Sequence, residues 1–292
     1  MNRRRFLETA LMLATTPHAE AEPKGRQRPE GAALTLFLCG DVMTGRGIDQ
    51  ILPHPGDPRL YEPWVSDAGT YVRLAEAANG PIPRPVDPDY IWGDALEILK
   101  ASDPDVRLVN LETAVTRSGT PWAGKDIHYR MHPDNIACLT AAGLDCAVLA
   151  NNHVLDWGRA GLDETVETLQ RAGIRTAGAG RDRDAAQAPA VLDLPGRGRL
   201  LVFSFGLGDS GIPAEWCATP QRPGVARLED LSARSVQQLA GLIGRVKRPR
   251  DLVLLSIHWG GNWGYRVPPH HRRFAHALIE EAGVDLVHGH SS

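Results

Sequence analysis

Short apolar runs bounded by polar or turn-forming residues recur along this chain, and segments with a helical repeat separate them. Such runs are typical of buried strands. They predict six strands: Leu34–Cys39, Asp105–Leu111, Cys146–Ala150, Leu200–Phe205, Leu252–Ile257 and Val284–Val287. The helical segments are Tyr90–Ala101, Asn135–Ala142, Leu162–Ala172, Leu228–Val246 and His270–Ala282. Strands that alternate with helices predict an α/β fold with a largely buried sheet.

One stretch of the chain fits neither pattern. Residues Ile51–Pro88 are rich in proline and show no clear period, so we predict a loop insertion that shapes the binding site. No internal repeat is visible, and a single catalytic domain over residues 34–292 is the simplest interpretation. The chain ends where a predicted strand runs into a Gly-His turn, so we expect this domain to be incomplete at its C-terminal end.

The first residues carry a targeting pattern rather than a folding pattern. A twin-arginine sequence, a short apolar run and a small-residue cleavage site follow one another: Arg3-Arg4-Arg5-Phe6-Leu7, Thr9 to Thr16, and Ala19-Glu20-Ala21. This order predicts a signal peptide over residues 1–21, a polar linker over 22–33 and a periplasmic or extracellular protein. The alternative is a basic N-terminal tail. The apolar run is too short to remain as a stable membrane span.

Composition narrows the set of partners. The 292 residues carry a formal net charge of −3, which gives no electrostatic reason to expect nucleic acid or an anionic membrane surface as a partner. The 30 glycines and 22 prolines indicate long irregular connections, and in α/β enzymes such loops usually carry the functional site. The sequence gives no prediction of the oligomeric state.

Potential metal ligands follow one predicted strand after another. They are Asp41, then Asn110 or Glu112, then Asn152 and His153, then His258, and finally His288 or His290. Because ligands of open α/β sheets bind beyond the carboxyl ends of the strands, we expect these side chains to converge. Carboxylate, amide and imidazole groups together suit Mn, Fe or Zn better than Mg or Ca. The set predicts a divalent metal site that holds one or two ions.

Each of these candidates also has a plainer explanation. A Gly-Asp pair after a strand is more often a turn, and Asn-His at a strand end is often a capped turn. A single histidine is more often part of the core or the surface than a ligand. Five candidates in order, each at a strand end, are hard to explain by turns alone, so we favour the metal site.

Several motifs make the sequence similar to a known family. They are Gly40-Asp41-Val42-Met43-Thr44-Gly45-Arg46, then Asn110-Leu111-Glu112, and then Asn151-Asn152-His153 with Asp156 and Gly158. Together with His258-Trp259-Gly260 and Gly289-His290, they resemble the CapA family of poly-gamma-glutamate capsule biosynthesis proteins. The resemblance runs from about Leu34 to Ser292. It implies a calcineurin-like metallophosphoesterase fold, which is a β-sandwich flanked by helices in the order α/β/β/α.

The resemblance also implies roles for individual residues. It assigns metal binding to five side chains: Asp41, Glu112, Asn152, His258 and His290. Glu112 would be the bridging carboxylate, and Asn152 would bind the second ion. His153 would lie nearby as the proton donor to the leaving group.

The sequence departs from the usual phosphoesterase pattern at three points. The first motif is normally Asp-x-His, and here Met43 stands at the third position. The bridging carboxylate would be the longer Glu112 in place of an aspartate. The last motif is normally Gly-His-x-His, but serines follow His290, and by strand alternation we expect His288 to point elsewhere. A single-metal or weakly loaded site therefore fits these residues as well as a two-metal site.

Two residues next to the motifs have two interpretations each. Arg46 either binds an anionic group of the substrate through its planar fork or forms a surface salt bridge. Asp156 either orients His153 or caps the helix that is predicted to begin near Gly161.

Aromatic and basic residues near the strand ends are less informative. Four aromatic side chains either form a platform for a polymer or belong to the core and the walls of the site: Trp157, Trp259, Trp263 and Tyr265. We interpret His270 and His271, which precede two arginines, as the solvated start of a helix.

Three functional hypotheses remain open from the sequence. The first is a metal-dependent hydrolase of the cell envelope that acts on a phosphoester or on an amide or ester bond of an anionic polymer such as poly-gamma-glutamate. The second is a non-catalytic accessory protein in the biosynthesis or export of a capsular polymer. The third is an exported α/β binding protein without a metal.

Overall fold

A computed structural model of the chain describes residues 33–291. The predicted signal peptide and all but the last residue of the predicted linker therefore lie outside the described residues. Twelve strands lie in the described part: β1 (Leu36–Val42), β2 (Val106–Leu111), β3 (Ala114–Val115), β4 (Arg130–Met131), β5 (Cys146–Val148), β6 (Arg175–Ala177), β7 (Ala179–Gly180), β8 (Ala190–Leu194), β9 (Gly198–Gly206), β10 (Gly224–Val225), β11 (Leu252–His258) and β12 (Leu286–His290).

The same part of the chain contains seven α-helices and five short 3-10 helices. The α-helices are α1 (Gly69–Asn79), α2 (Ala95–Ser102), α3 (Ala137–Ala141), α4 (Gly158–Arg171), α5 (Arg183–Gln187), α6 (Ala233–Gly244) and α7 (Pro269–Glu281). The 3-10 helices are Asp49–Ile51, Tyr90–Trp92, Pro133–Asn135, Gly208–Ser210 and Ala214–Trp216. None of the helices within residues 33–291 is long and apolar enough to cross a membrane.

Two four-stranded sheets form the centre of the fold. The first has the order β1-β2-β5-β6 with all neighbours parallel, and the second has the order β12-β11-β9-β8 with only β8 antiparallel to its neighbour. Two small ribbons, β3-β4 and β7-β10, accompany the sheets. All six strands predicted from the apolar runs are present, which confirms the α/β class.

Side chains alternate between the two faces of each sheet and so create three apolar layers. On β2, Leu108 points into the core between the sheets, and Val109 points into the core under the helices; both are fully buried. The core between the sheets also receives Val202 of β9 and Leu254 of β11. Leu139 of α3 and Leu162 of α4 cover the first sheet, whereas Leu239 of α6 and Leu278 of α7 cover the second. This is the predicted metallophosphoesterase-like order of layers, α/β/β/α.

The prediction for residues Ile51–Pro88 was wrong in one respect. This segment contains the helix α1, of which only Val72 is buried. A helix that buries one side chain has no apolar stripe to reveal its period in the sequence. The helix predicted over Tyr90–Ala101 is also interrupted, because Gly93 adopts a positive φ of 52° between a 3-10 turn and α2.

Candidate metal centre and proton donor

A bulge on β1 positions the first candidate ligand. Cys39 pairs with Val109 and Asp41 pairs with Asn110, so Gly40 is an extra residue in the ladder. The Asn110 side chain donates a hydrogen bond of 2.7 Å from Nδ2 to Oδ1 of Asp41. A Cβ atom at Gly40 would stand 3.6 Å from Cβ of His290, so the first sheet meets the second at this point.

Asp41 meets two histidines that end neighbouring strands of the second sheet. His258 ends β11 and His290 ends β12, and the parallel register places them side by side. Oδ1 of Asp41 lies 3.3 Å from Nδ1 of His290 and 3.7 Å from Nδ1 of His258, and the two imidazole nitrogens lie 3.0 Å apart. These three donor atoms lie within 4.8 Å of one another, which suits a single metal ion that binds among them.

Charges in this group also favour a cation. Burial opposes the charge of Asp41, but the hydrogen bond with His290 and the nearby His258 hold the pKa of Asp41 at about 2. Burial, followed by the neighbouring ring of His290, lowers the pKa of His258 to about 3. A carboxylate and a neutral imidazole are the forms that bind metal, so neither residue has to lose a proton at neutral pH.

Ser256 on β11 contacts both histidines of β12. Its Oγ lies 2.9 Å from Nε2 of His290 and 3.1 Å from Nδ1 of His288. The expectation that His288 points elsewhere was wrong, because residues two apart on a strand share a face. The rings of His288 and His290 lie 4.9 Å apart. His290 thus turns Nδ1 toward Asp41 while Nε2 faces the serine hydroxyl.

The other two predicted metal ligands border this group. Oδ1 of Asn152 lies 3.1 Å from Nε2 of His258. Burial, followed by the charge of Asp41, raises the pKa of Glu112 to about 9. That shift disfavours the charged form of Glu112, and a cation at its side would favour the charged form that a bridging ligand needs. The structure brings both residues to the centre, and their roles as ligands stay predictions.

The predicted proton donor, His153, follows Asn152 directly in the chain. Nδ1 of His153 lies 2.7 Å from Oδ2 of Asp156, and Nε2 of His153 lies 3.7 Å from Oε1 of Glu112. Asp156 therefore orients His153, as one interpretation of the sequence held. The capping interpretation was wrong, since α4 begins at Gly158 without a side-chain cap.

Lys125 contacts both His153 and Asp156, and it was not predicted from the sequence. Its ammonium group forms an ion pair with the fully buried Asp156 and donates a hydrogen bond of 2.5 Å to the carbonyl of Asn152. Nζ also lies 3.0 Å from Nδ1 of His153. Burial lowers the pKa of Lys125, and the Asp156 charge opposes that shift. The residue lies in an irregular loop, where no period in the sequence marks it.

Asn151 holds the turn that presents Asn152 and His153. Its side-chain oxygen accepts hydrogen bonds from the backbone N–H groups of His153 at 3.0 Å and of Val154 at 2.9 Å. Its Nδ2 donates to Oδ1 of Asn110 at 3.0 Å. Since Asn110 donates in turn to Asp41, one chain of hydrogen bonds joins Asp41, a candidate metal ligand, to the turn that presents His153.

Arg46 forms the wall next to His153. Its guanidinium carbon lies 4.8 Å from the ring centroids of both Tyr71 and Tyr129, and the Tyr129 ring stacks on His153 at 3.9 Å. Nε of Arg46 lies 2.6 Å from Oε1 of Glu62, whose side chain is 1% exposed. The salt bridge is therefore part of a buried wall and not a surface pair. A cavity of about 250 Å³ adjoins Arg46, and its lining includes Tyr71 and Met43.

The four aromatic residues do not share one surface in the described part of the chain. Trp157 is 3% exposed and Trp259 is packed against Phe274, which favours the core interpretation for both. Trp263 and Tyr265 are exposed and lie in the loop between β11 and α7.

Comparison with known proteins identifies the family of this chain. The sequence profile of the family described as "Bacterial capsule synthesis protein PGA_cap" matches residues 35–292. A probable polyglutamine synthesis accessory protein of Mycobacterium tuberculosis is 48% identical over 260 residues, which cover 89% of this chain and 68% of the relative.

Two more distant relatives are named CapA. The capsule biosynthesis protein CapA of Bacillus anthracis is 23% identical and is matched over 89% of this chain and 54% of its own length. The PGA biosynthesis protein CapA of Bacillus subtilis is 23% identical, with a match over 96% of this chain and 63% of its own length. The profile match over nearly all of the described residues and the 48% identity show that this chain belongs to the bacterial capsule synthesis protein PGA_cap family.

Proposed function

We propose that this protein is a metal-dependent hydrolase of the cell envelope that cleaves an anionic polymer of the poly-gamma-glutamate type or a phosphoester. One observation carries the proposal: the oriented pair of His153 and Asp156 lies next to the Asp41, His258 and His290 group, because Oδ1 of Asn152, the residue before His153, lies 3.1 Å from Nε2 of His258. A structural metal site would not require a positioned acid beside it.

The candidate ligands define what the centre supplies. A divalent cation held by Asp41, His258 and His290 would polarise the carbonyl or phosphoryl group and lower the pKa of a water molecule. Mn, Fe or Zn suits the mixed carboxylate and imidazole set. With one carboxylate and two imidazoles in this group, positions remain for water and for an oxygen of the substrate.

His153 is the residue that moves a proton. In hydrolysis of an amide or ester, water adds to the carbonyl carbon, the bond to the leaving nitrogen or oxygen breaks, and that atom takes a proton. Nε2 of His153 faces Glu112, while Nδ1 is held between Asp156 and Lys125. Burial lowers the pKa of His153 and the Asp156 charge opposes that shift, so Asp156 supports the protonated form that an acid needs.

Arg46 accounts for the preference for an anionic substrate. Its guanidinium carbon lies 4.8 Å from the centroids of the Tyr71 and Tyr129 rings, and the Tyr129 ring stacks on His153. Glu62 engages Nε, which leaves the outer edge of the fork to face a carboxylate or phosphate. A polymer with one carboxylate in each unit fits such a site.

The names of the relatives support the choice of polymer. One relative is named for PGA biosynthesis, which supports an anionic polymer, and another is named for synthesis of polyglutamine, whose side chains are neutral amides. A protein that degrades a polymer and one that helps to make it both have to recognise its repeating unit. We therefore propose the anionic polymer as the substrate of this chain, without proposing a synthetic role. Residues 1–21 support a place in the cell envelope.

A second candidate function is a non-catalytic accessory role. Met43 stands where a phosphoesterase has a histidine ligand, and the 48% identical relative is named an accessory protein. In that case the same centre would bind the polymer without cleaving it.

Hydrolysis assays separate the two candidates. The full-length protein, loaded in turn with Mn, Fe and Zn, is incubated with poly-gamma-glutamate and with bis-p-nitrophenyl phosphate. We expect turnover of one substrate that is lost in His153→Ala and retained in His276→Ala, which changes an exposed histidine on α7. Metal binding with no turnover of either substrate would favour the accessory role and contradict the hydrolase.

A further inference from the structure

A second group of potential metal ligands lies apart from the centre described above. It consists of Asp209, which follows the carboxyl end of β9, and of His270 and His271 in the first turn of α7. One donor atom from each of the three lies within 4.8 Å of the other two. None of these residues belongs to the Asp41, His258 and His290 group.

Two of the three side chains are held in place before any ligand arrives. Oδ1 of Asp209 accepts a hydrogen bond of 3.1 Å from the backbone N–H of Gly260, which leaves Oδ2 to face Nε2 of His271 at 3.4 Å. The ring of His271 is 3% exposed and stacks on Trp259, with centroids 4.4 Å apart and planes within 5°. The third side chain, His270, is exposed, and its ring lies 4.5 Å from that of His271.

Gly260 makes this arrangement possible. It has a positive φ of 85°, and a Cβ atom there would stand 3.1 Å from Cε1 of His271. A side chain at this position would therefore crowd the imidazole and strain the turn that holds Asp209. The loop after β11 is thus shaped to accept both the carboxylate and the imidazole.

We propose that Asp209, His270 and His271 bind a divalent ion of the zinc class at a second site, independent of the first. Two imidazoles and one carboxylate are a ligand set that zinc uses where it keeps open positions. Asp209 has 39% of its side chain exposed, so water or a group of a bound molecule can complete the coordination. The ion would tie the start of α7 to the loop after β9.

The surrounding charges set the strength of this site. The amino end of α7 carries a partial positive charge, and Arg272 and Arg273 follow the histidines. Asp209 is the one carboxylate of the group. These positive charges oppose a cation, whereas Asn152 and Glu112 bring further oxygen atoms to the first centre, so the first should fill before the second as zinc is added.

The test counts zinc with and without the first centre. Equilibrium dialysis against zinc, followed by elemental analysis, is applied to full-length protein with His258→Ala and His290→Ala. We expect this double variant, which serves as the background, to bind one zinc ion. Adding His270→Ala should abolish the binding, and adding His276→Ala instead should leave it unchanged. Both of these residues are exposed on α7, so the two variants are matched.

Two results would overturn the proposal: a background that binds no zinc, or a zinc content that His270→Ala leaves unchanged. If the background variant does not fold, His270→Ala is compared with the wild-type protein instead. His270→Ala then has to lower the zinc content by one ion. The zinc count does not depend on turnover, so a failure of the proposed hydrolase leaves this test intact.

Discussion

Oδ1 of Asp41 lies 3.3 Å from Nδ1 of His290, although the two residues belong to edge strands of different sheets. The extra residue Gly40 in β1 allows this approach, and the Asn110 side chain fixes the Asp41 carboxylate on the other side. The candidate metal centre therefore lies where the two sheets meet. Neither sheet contains it alone.

Loss of one imidazole should empty the first centre. His290→Ala removes one of the three candidate ligands, and the remaining pair, Asp41 and His258, cannot hold an ion as tightly. Changes one shell further out already lower metal affinity about 10–100-fold, so we expect a loss of at least about 100-fold here. Titration with a competing chelator measures the affinity. An affinity equal to that of His276→Ala would show that His290 is not a ligand.

Removal of the proton donor should affect rate and not metal content. His153→Ala leaves Asp41, His258 and His290 intact, and general acid catalysis contributes about 100-fold to 10,000-fold. We expect kcat to fall within that range while the metal content stays at the wild-type value. Steady-state kinetics and elemental analysis on one preparation check both. If kcat stays within a factor of about two, His153 is not the acid.

The ion pair between Lys125 and Asp156 should be important for stability. Asp156 is fully buried and the Lys125 side chain is 18% exposed, so Lys125→Met would leave a buried charge without its partner. Breaking such a pair typically costs about 3–5 kcal/mol of the free energy of unfolding. Urea denaturation measures the loss. The double variant Lys125→Met with Asp156→Asn should recover part of it, and strictly additive losses would show that the two side chains are not coupled.

The sequence predicts the candidate ligands better than the residues that hold them in place. Asp41, Asn152, His258 and His290 each follow an apolar run, and parallel strands bring such positions to one edge. Ser256 could have been predicted in the same way, because it is a polar residue in an apolar strand. It stands two positions before His258 and therefore lies on the same face.

The roles of Lys125 and Tyr129 could not be predicted from the sequence pattern. Both act through contacts with residues far away in the sequence, and the loop that carries them has neither a helical nor a strand period. The orientation of His288 was predicted wrongly because strand alternation places residues two apart, such as His288 and His290, on the same face. The strand β6 was missed because its residues, Arg175–Ala177, form no apolar run.

Arg46 should determine substrate affinity more than rate. Arg46→Lys keeps the charge beside Glu62 but loses the planar fork between the tyrosine rings. Hydrogen bonds to charged groups contribute about 1.5–3 kcal/mol, so we expect KM for the anionic substrate to rise about 10-fold to 100-fold with kcat little changed. Arg245→Lys, at an exposed position at the end of α6, is the control. A fall in kcat without a change in KM would place Arg46 in the chemical step instead.

One ion pair away from the site should give stability a defined pH dependence. The Arg199 side chain contacts both carboxylate oxygens of Asp251 at 3.0 and 2.5 Å and, as the main cause, lowers the pKa of Asp251 from 3.8 to about 2. A depressed pKa means that the carboxylate stabilises the fold above its ordinary pKa and that this contribution is lost as the pH falls toward 2. Asp251→Asn should therefore be less stable than the wild type at pH 7.

The same comparison at low pH completes that test. Between about pH 4 and pH 2 the difference in the free energy of unfolding should shrink, because the wild-type carboxyl gains its proton there. Denaturation at a series of pH values measures it. A difference that stays constant down to pH 2 would show that the Asp251 charge is not its cause.

Anomalous diffraction from crystals of the metal-loaded protein, with data collected on both sides of the metal absorption edge, tests most directly whether a metal binds here. We expect a peak bounded by Asp41, His258 and His290. A loaded crystal with no peak among these three side chains would contradict this expectation.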